Sequence, residues 1–303
     1  MNRPDSSPMP EAAARRPTPF LKWAGGKGQL LAQFEPYWPA EFGRYFEPFL
    51  GGGAVFFHLY NTGRLAGKEV VLVDRLEELI NCFRVVRDQV EALIAELRRH
   101  EPHKLDREYY GRVRAWDREP GYALRGEVER AARLLYLNRT CYNGLYRVNR
   151  RGQFNVPFGR YRNPTVCDAP NLRAAARALE GVRLVAGDFE AVLEEAGPGD
   201  LVYLDPPYQP LSATANFTAY TAGDFAFDDQ RRLARLFREL DARGCQVMLS
   251  NSDTESIRAL YAGYPQVVLH AARPINSRAR GRGPVPELLV LSRAFTRRGR
   301  GSG

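Results

Sequence analysis

The stretch from Leu201 to Tyr208, Leu-Val-Tyr-Leu-Asp-Pro-Pro-Tyr, constrains what this chain can fold into more than any other. Four apolar or aromatic residues after the Gly197-Pro198-Gly199 turn predict a central parallel strand, buried on both faces and therefore not alternating. Pro206 and Pro207 cannot continue that strand. They supply no backbone N–H and they fix φ, so the chain must leave the sheet in one rigid shape, with the carbonyls around Asp205 and Pro206 held outward. A carboxylate oxygen and a backbone carbonyl followed by a flat ring suit an exocyclic amino group on a planar base. Such an amine is a poor nucleophile because its lone pair is delocalised into the ring. Hydrogen bonds from its two N–H groups to Asp205 and to the Pro206 carbonyl would pull the nitrogen toward tetrahedral geometry and localise that lone pair, with Tyr208 stacked on the base. A strand-ending turn with Asp205 as a helix cap is the plain alternative.

Other strands also end on polar residues. Phe20 to Lys27 opens the folded part with paired glycines bracketed by Trp23 and Lys27; Gly28 after Lys27 rules out a phosphate loop. Arg44 to Glu47 reads as a short strand running into Pro48-Phe49-Leu50-Gly51-Gly52-Gly53 and a helix from Ala54, the glycine-rich turn of a nucleotide-type α/β unit. Phe56 stands where a dinucleotide fingerprint needs glycine, which disfavours NAD. Val70 to Val73 is a strand ending at Asp74, an acid placed to accept two ribose hydroxyls. A helix is expected from Glu77 to about Leu97. Arg183 to Ala186 leads to Asp188, either an acceptor for an adenine amino group or a helix N-cap. A helix is predicted from Asp228, capped by Asp228 or Asp229 and ended by Gly244. Gln246 to Leu249 is a strand stopping at Ser250-Asn251, and Gln266 to Leu269 with Leu288 to Leu291 form a closing antiparallel pair. Glu47, Asp74, Asp188, Asp205 and Asn251 should then share one sheet edge, because ligands of open α/β sheets bind outside the carboxyl ends of the strands.

The strand–helix alternation lapses between residues 98 and 171. A helix around Val128 to Leu137 leads into two β-prone runs flanking Arg151-Gly152, which suggest a hairpin. From Arg139 to Arg162 there are six arginines and no acidic residue, within a chain of 303 residues and formal net charge +9. That is a local basic surface suited to a polyanion: arginine reads guanine, and a ring can wedge between base steps. A basic structural hairpin is the bland reading. Cys82, Cys141, Cys167 and Cys245 lack paired spacing and suggest a reducing cytoplasm without a zinc site. The flanks of His100 and His103 read as a solvated helix end, so no metal is expected. No apolar run approaches a membrane span. Residues 1–19 and 297–303 read as loose tails.

Asp205-Pro206-Pro207-Tyr208 resembles the catalytic motif of S-adenosylmethionine-dependent amino methyltransferases. Leu211 to Tyr220 is similar to the segment that follows it in Dam-type DNA adenine methylases, and the family blocks occur in order from Phe20 to about Leu291. The resemblance implies a doubly wound Rossmann-like α/β methyltransferase sheet (residues 20–97 and 172–296) with an antiparallel terminal hairpin and an inserted, mostly helical target-recognition domain (98–171). It implies catalysis at Asp205, Pro206, Pro207 and Tyr208. S-adenosylmethionine would contact Trp23, Lys27, Phe49, Gly51, Gly53, Asp74, Asp188 and Asp205; a sulfonium over the Trp23 face would gain about 0.5–2 kcal/mol. Tyr142, Asn143, Leu145, Arg147 and Pro157 would approach DNA, and the hairpin's likeness favours the palindrome GATC. Tyr146 receives no role. Asn216, Phe217 and Tyr220 would help hold an extrahelical base, and the four arginines between Arg273 and Arg282 would lie beside phosphates or cofactor.

The expected reaction is therefore methylation of adenine N6 in double-stranded DNA, by an enzyme associated with the nucleoid in the cytoplasm and needing no metal, membrane or obligate protein partner. An RNA adenine or protein glutamine substrate, a DNA-binding regulator that no longer methylates, and a nicotinamide enzyme are the rivals. Restriction, phage and chromosomal roles stay open.

Overall fold

The Leu201–Leu204 run is a strand with all four residues buried, at the centre of a seven-stranded sheet, as its unbroken apolar character requires. The computed structural model describes residues 15–208, 225–271 and 285–297. Along the chain the strands are β1 (Tyr45–Glu47), β2 (Val70–Asp74), β3 (Arg183–Ala186), β4 (Leu201–Leu204), β5 (Gln246–Ser252), β6 (Gln266–Ala271) and β7 (Val285–Leu291). They lie in the order β3-β2-β1-β4-β5-β7-β6. The first five are parallel, and β7 inserts antiparallel between β5 and β6, the expected closing pair.

The helices are α1 (Leu31–Phe34), α2 (Ala54–Asn61), α3 (Glu77–Asp88), α4 (Val90–His100), α5 (Arg107–Ala115), α6 (Glu127–Thr140), α7 (Ala169–Leu179), α8 (Phe227–Ala242), α9 (Glu255–Leu260) and α10 (Ala294–Arg297). Side chains alternate across the sheet. Tyr45, Leu72, Leu201, Tyr203 and Met248 share one apolar cluster with helices α2 to α7, while Phe46, Val71, Val202, Leu204 and Val247 share the other with α8 and α9. The sheet is thus covered on both faces, the doubly wound arrangement expected. Each fully buried Leu or Phe in these layers contributes about 1.5–3 kcal/mol.

Several local expectations change. The helix expected over Glu77 to Leu97 breaks at Gln89, whose φ of −138° and ψ of 37° are not helical, so α3 and α4 pack separately on α6. The N-cap of α8 is Ala226; Asp229 lies inside the first turn and accepts the Ala226 N–H at 3.0 Å. His100 is not a solvated helix end. Its ring is buried, stacks on Tyr136 and meets the Tyr109 hydroxyl at 2.8 Å, and burial pushes its pKa down to about 4. Residues 15–19, expected within a loose tail, are tied down: Arg15 forks onto Asp168, and Thr18 bonds Asn171. No helix of the described residues is long and apolar enough to cross a membrane.

Segment 98–171 continues the helical layer of the first cluster, with Tyr110, Val113, Leu134 and Leu137 packed among Phe83, Leu93 and Leu97. The hairpin has two isolated antiparallel bridges, Cys141 to Phe158 at its base and Val148 to Phe154 nearer the tip, where an Asn149 N–H to Gln153 carbonyl bond of 2.8 Å closes it and Gly152 takes φ 75° in the turn. Asp117 accepts the Phe154 N–H at 2.7 Å and pairs with buried Arg133 at 2.8 Å, which fixes the hairpin to α6. One buried amide ties this segment to the amino terminus. Asn138 accepts the Lys22 N–H at 2.8 Å and donates to the carbonyls of Lys22 at 2.8 Å and Gly144 at 2.9 Å. Asn138→Ala strands three backbone groups without partners and should lower stability by about 1–3 kcal/mol in urea unfolding.

Candidate active site

The sheet order reverses between β1 and β4, since the chain passes from β1 to β2 on one side and from β4 to β5 on the other. A crevice opens at such a point, outside the carboxyl ends of the strands. The glycine-rich turn that leaves β1 and the Asp-Pro-Pro turn that leaves β4 are therefore neighbours. Gly51 and Gly53 take left-handed φ values of 49° and 70°. A Cβ on Gly51 would stand 2.8 Å from Trp23 Cδ1, so the indole lies directly against the turn and only glycine admits it. Asp74, at the end of β2, accepts the N–H groups of Gly51 and Leu76, each at 3.0 Å. That leaves lone pairs on both oxygens for a hydroxylated ligand. Phe49 stacks on Phe189 at 5.3 Å and meets Phe225 edge-on. Asp188 caps the turn after β3 by accepting the Glu190 N–H, and Arg232 of α8 pairs with it at 3.0 Å.

Asp205 sits where β4 stops. Its side chain is 19% exposed, and the buried Lys27 ammonium lies 2.9 Å from Oδ1. Lys27 also donates to the Gly25 carbonyl at 2.7 Å, and it lies 4.6 Å from the centre of the Tyr208 ring. The Tyr208 hydroxyl donates to Glu287 Oε2 at 2.6 Å. Burial lifts the Asp205 pKa to about 6 against the opposing pull of Lys27. The kink itself is braced from behind: Gln230 of α8 donates to the Pro207 carbonyl at 3.0 Å, and buried Asn251 at the end of β5 donates to Gln230 at 2.9 Å. Among the described residues no donor is paired with the Pro206 carbonyl.

Glu47 ends β1 and is buried. It accepts the Tyr45 hydroxyl at 2.8 Å, yet burial raises its pKa to about 8, with Asp205 and Asp74 adding negative charge nearby. The polar strand ends named from the sequence thus line one edge.

The basic hairpin lies beside the amino-terminal block. Tyr142 is 52% exposed, with Asn143 and Pro157 also exposed, while Leu145 and Arg147 are half-buried. The Tyr142 N–H donates to the Pro157 carbonyl at 2.9 Å, and Asn143 takes a left-handed φ of 55°. Arg147 Nε donates to Asn155 Oδ1 at 2.7 Å. Arg150, Arg151, Arg160 and Arg162 are exposed, but Arg139 is not part of that surface: its guanidinium turns inward onto the Phe20 carbonyl at 2.6 Å. Tyr146 stacks on Trp23 at 5.6 Å.

A model of the D12 class N6 adenine-specific DNA methyltransferases matches residues 23–274. The chain belongs to this family. Type II methyltransferase M.MjaIII of Methanocaldococcus jannaschii is 44% identical over 287 residues, covering 90% of this chain and 98% of that protein. Type II methyltransferase M1.LlaDCHI of Lactococcus lactis subsp. cremoris is 42% identical over 276 residues, 90% and 95% of the two chains. A DNA adenine methylase of Serratia marcescens is 38% identical over 282 residues, 90% and 98% of the two chains.

This methyltransferase acts on adenine N6 in DNA, and its family implies S-adenosylmethionine as the methyl donor. The donor set at the carboxyl edge fits such a molecule: Glu47, Asp74 and Asp205 gather there against the single ammonium of Lys27, chemistry suited to a sulfonium, an ammonium and ribose hydroxyls. Among the described residues no group of His, Cys, Asp or Glu could hold a metal, and the four cysteines are free. Two partners at the site, Glu287 and Tyr146, carried no role in the sequence reading. A lone acid within Val-Pro-Glu-Leu-Leu-Val-Leu was the signal for the first; nothing local marked the second. Asn216, Phe217, Tyr220 and the arginines from 273 to 282 lie outside the described residues.

The raised pKa of Glu47 has a direction in stability. The folded chain holds that proton more tightly than the unfolded one, so its contribution is full below about pH 4.5 and is lost as pH rises through about 8. Glu47→Gln should remove this slope, so that urea midpoints of the wild type fall relative to the variant between those pH values.

Proposed function

We propose that this enzyme methylates adenine N6 within the duplex palindrome GATC, using S-adenosylmethionine and turning the target base out of the helix. The observation that carries the reading is the partly exposed Asp205 carboxylate at the β1/β4 reversal, with one oxygen held by Lys27 and the Pro206 carbonyl beside it. The adenine amino group donates one N–H to Asp205 Oδ2 and the other to the Pro206 carbonyl, which localises its lone pair. Tyr208 stacks on the base, offsetting part of the few kcal/mol that extrusion costs. S-adenosylmethionine, when bound, supplies an electrophilic methyl on sulfur and leaves as the neutral thioether. Asp205, ionised above about pH 6, takes the surplus N6 proton and returns it to water through its exposed side. Trp23, Gly51, Gly53 and Phe49 wall the cofactor, Asp74 takes its ribose, and Asp188 its adenine.

The exposed Tyr142, Asn143 and Pro157, with four exposed arginines on the same hairpin, support segment 98–171 as the target-recognition part. Arg147 is held through Nε, and only a long 3.5 Å contact to the Asn155 carbonyl engages a terminal nitrogen, so its fork can reach the two acceptors of guanine. The likeness of this hairpin to Dam-type methylases supports GATC, and a DNA substrate is in keeping with an enzyme that works at the nucleoid.

Asp205→Ala should reduce turnover by at least about 10²- to 10³-fold while duplex affinity survives. Tritium transfer from labelled cofactor alongside a DNA-binding titration measures both; retained turnover removes Asp205 from its role. Arg147→Ala should lose about 1–3 kcal/mol of discrimination at one base pair. Equal weakening across a panel of single-base-pair variants of the GATC duplex would instead make Arg147 a phosphate contact.

A further inference from the structure

Glu287 is a carboxylate near the Asp-Pro-Pro-Tyr kink that the mechanism above leaves unused, and it is the one that meets both Tyr208 and Lys27 among the described residues. It lies on β7 opposite Ser252, the last residue of β5, with its side chain 16% exposed. A carboxylate flanked by Leu288, Leu289 and Val290, all buried, is costly to desolvate unless charged or donor groups meet it. Two do. Tyr208 donates its hydroxyl at 2.6 Å, and the Lys27 ammonium stands 3.9 Å away.

We infer that Glu287 is a positioning residue for methyl transfer: it anchors the Tyr208 ring by its hydroxyl and steadies Lys27, so that the stacking surface and the free oxygen of Asp205 face the target base. This rests on the reading of Asp205 and Tyr208 given above. Tyr208 follows a rigid Pro-Pro pair, but its own ring can still turn. The Glu287 bond holds the far end of the ring, and the ammonium 4.6 Å from its centre holds one face. Lys27 is itself set among three acceptors, the Gly25 carbonyl, Asp205 and Glu287. Lys27 is fixed on Oδ1, and the Tyr208 hydroxyl, which also meets the Asp205 carboxylate, gives its proton to Glu287 at 2.6 Å, so Asp205 keeps an acceptor position for the base.

The charged and titratable groups around Asp205 are Lys27 from the amino-terminal block, Tyr45 and Glu47 from β1, Tyr203 and Tyr208 along β4 and its exit, and Glu287 from β7. Burial raises the Asp205 pKa most, Lys27 and Tyr208 oppose the rise, and Glu287 adds to it. Neutralising Glu287 must therefore move the ionisation of Asp205 to lower pH, an effect that a merely structural residue does not produce.

The experiment compares Glu287→Gln, Glu287→Ala, Tyr208→Phe and the Tyr208→Phe/Glu287→Ala double variant of the full chain, with Asp205→Ala alongside. Single-turnover methylation of a GATC duplex is followed across pH, together with DNA affinity and thermal melting. Glutamine keeps an acceptor for the phenol, so Glu287→Gln should stay within about tenfold of wild type at neutral pH, with the acid limb of its rate profile displaced to lower pH. Glu287→Ala should lose up to about 10²-fold in rate, the scale of a small misplacement at a reacting centre, with duplex affinity kept. The double variant should be no slower than the slower single one, because both remove one contact. An unmoved acid limb in Glu287→Gln, a wild-type rate in Glu287→Ala, or multiplying effects in the double variant each overturns the assignment; the glutamine result decides if the alanine variants do not fold. Turnover by Asp205→Ala would instead overturn the underlying reading of the site.

Discussion

A strand buried on both faces cannot end on a carboxylate without something answering the lost hydration, and at Asp205 that answer is an ammonium brought from the other end of the chain. Pro206 and Pro207 stop the ladder, so the carboxylate is left at the rim of the crevice with no continuing strand to cover it. Lys27 meets it at 2.9 Å while burial still lifts its pKa to about 6. Desolvation thus outweighs attraction, but not by enough to protonate the group at neutral pH, which leaves it ionised there yet able to take a proton. The kink holds its shape because buried Asn251 and Gln230 form a relay onto the Pro207 carbonyl. Strand β5 and helix α8 thereby set the direction in which Asp205 points.

The same amino-terminal block that carries Lys27 also supports the basic hairpin. The backbone of Lys22 is paired on both sides by Asn138 of α6, and its side chain lies against Gly144, where a Cβ would come within 2.5 Å of Lys22 Cδ. One residue on, Trp23 is held between Tyr146 of the hairpin and Gly51 of the glycine-rich turn. The Trp23 indole, the glycine-rich turn and the base of the hairpin are thus one packed unit.

Much of this was legible because it was local. A continuous apolar run identified β4, the glycines at 51 and 53 marked the turn after β1, and polar strand ends announced the carboxyl edge. What escaped depended on partners far along the chain. The phenol of Tyr208 and the carboxylate of Glu287 are 79 positions apart, and only the insertion of β7 beside β5 brings them together. His100 looked solvated because its sequence neighbours are charged, whereas its ring is enclosed by Tyr109 and Tyr136 from two other helices. The break at Gln89 carries no glycine or proline; it follows from the separate packing of α3 and α4 on α6.

Charge in this molecule is sorted by depth. Arg150, Arg151, Arg160 and Arg162 stand in solvent on the hairpin, where they add attraction for phosphates. Glu47, Asp74 and Asp205 are drawn back along the strand ends, where low polarity amplifies their pull on a nearby cation and protein atoms separate them from the duplex. Placed on the surface, those three acids would repel the substrate; withdrawn, they favour a cationic donor and an amine that must give up a proton. Since burial lifts Glu47 to about 8, it is mostly neutral at pH 7, and Lys27 then answers Asp205 and Glu287 without the full charge of Glu47 added beside them. That protonation leaves the crevice acidic enough to hold a cation while sparing the edge one further negative charge.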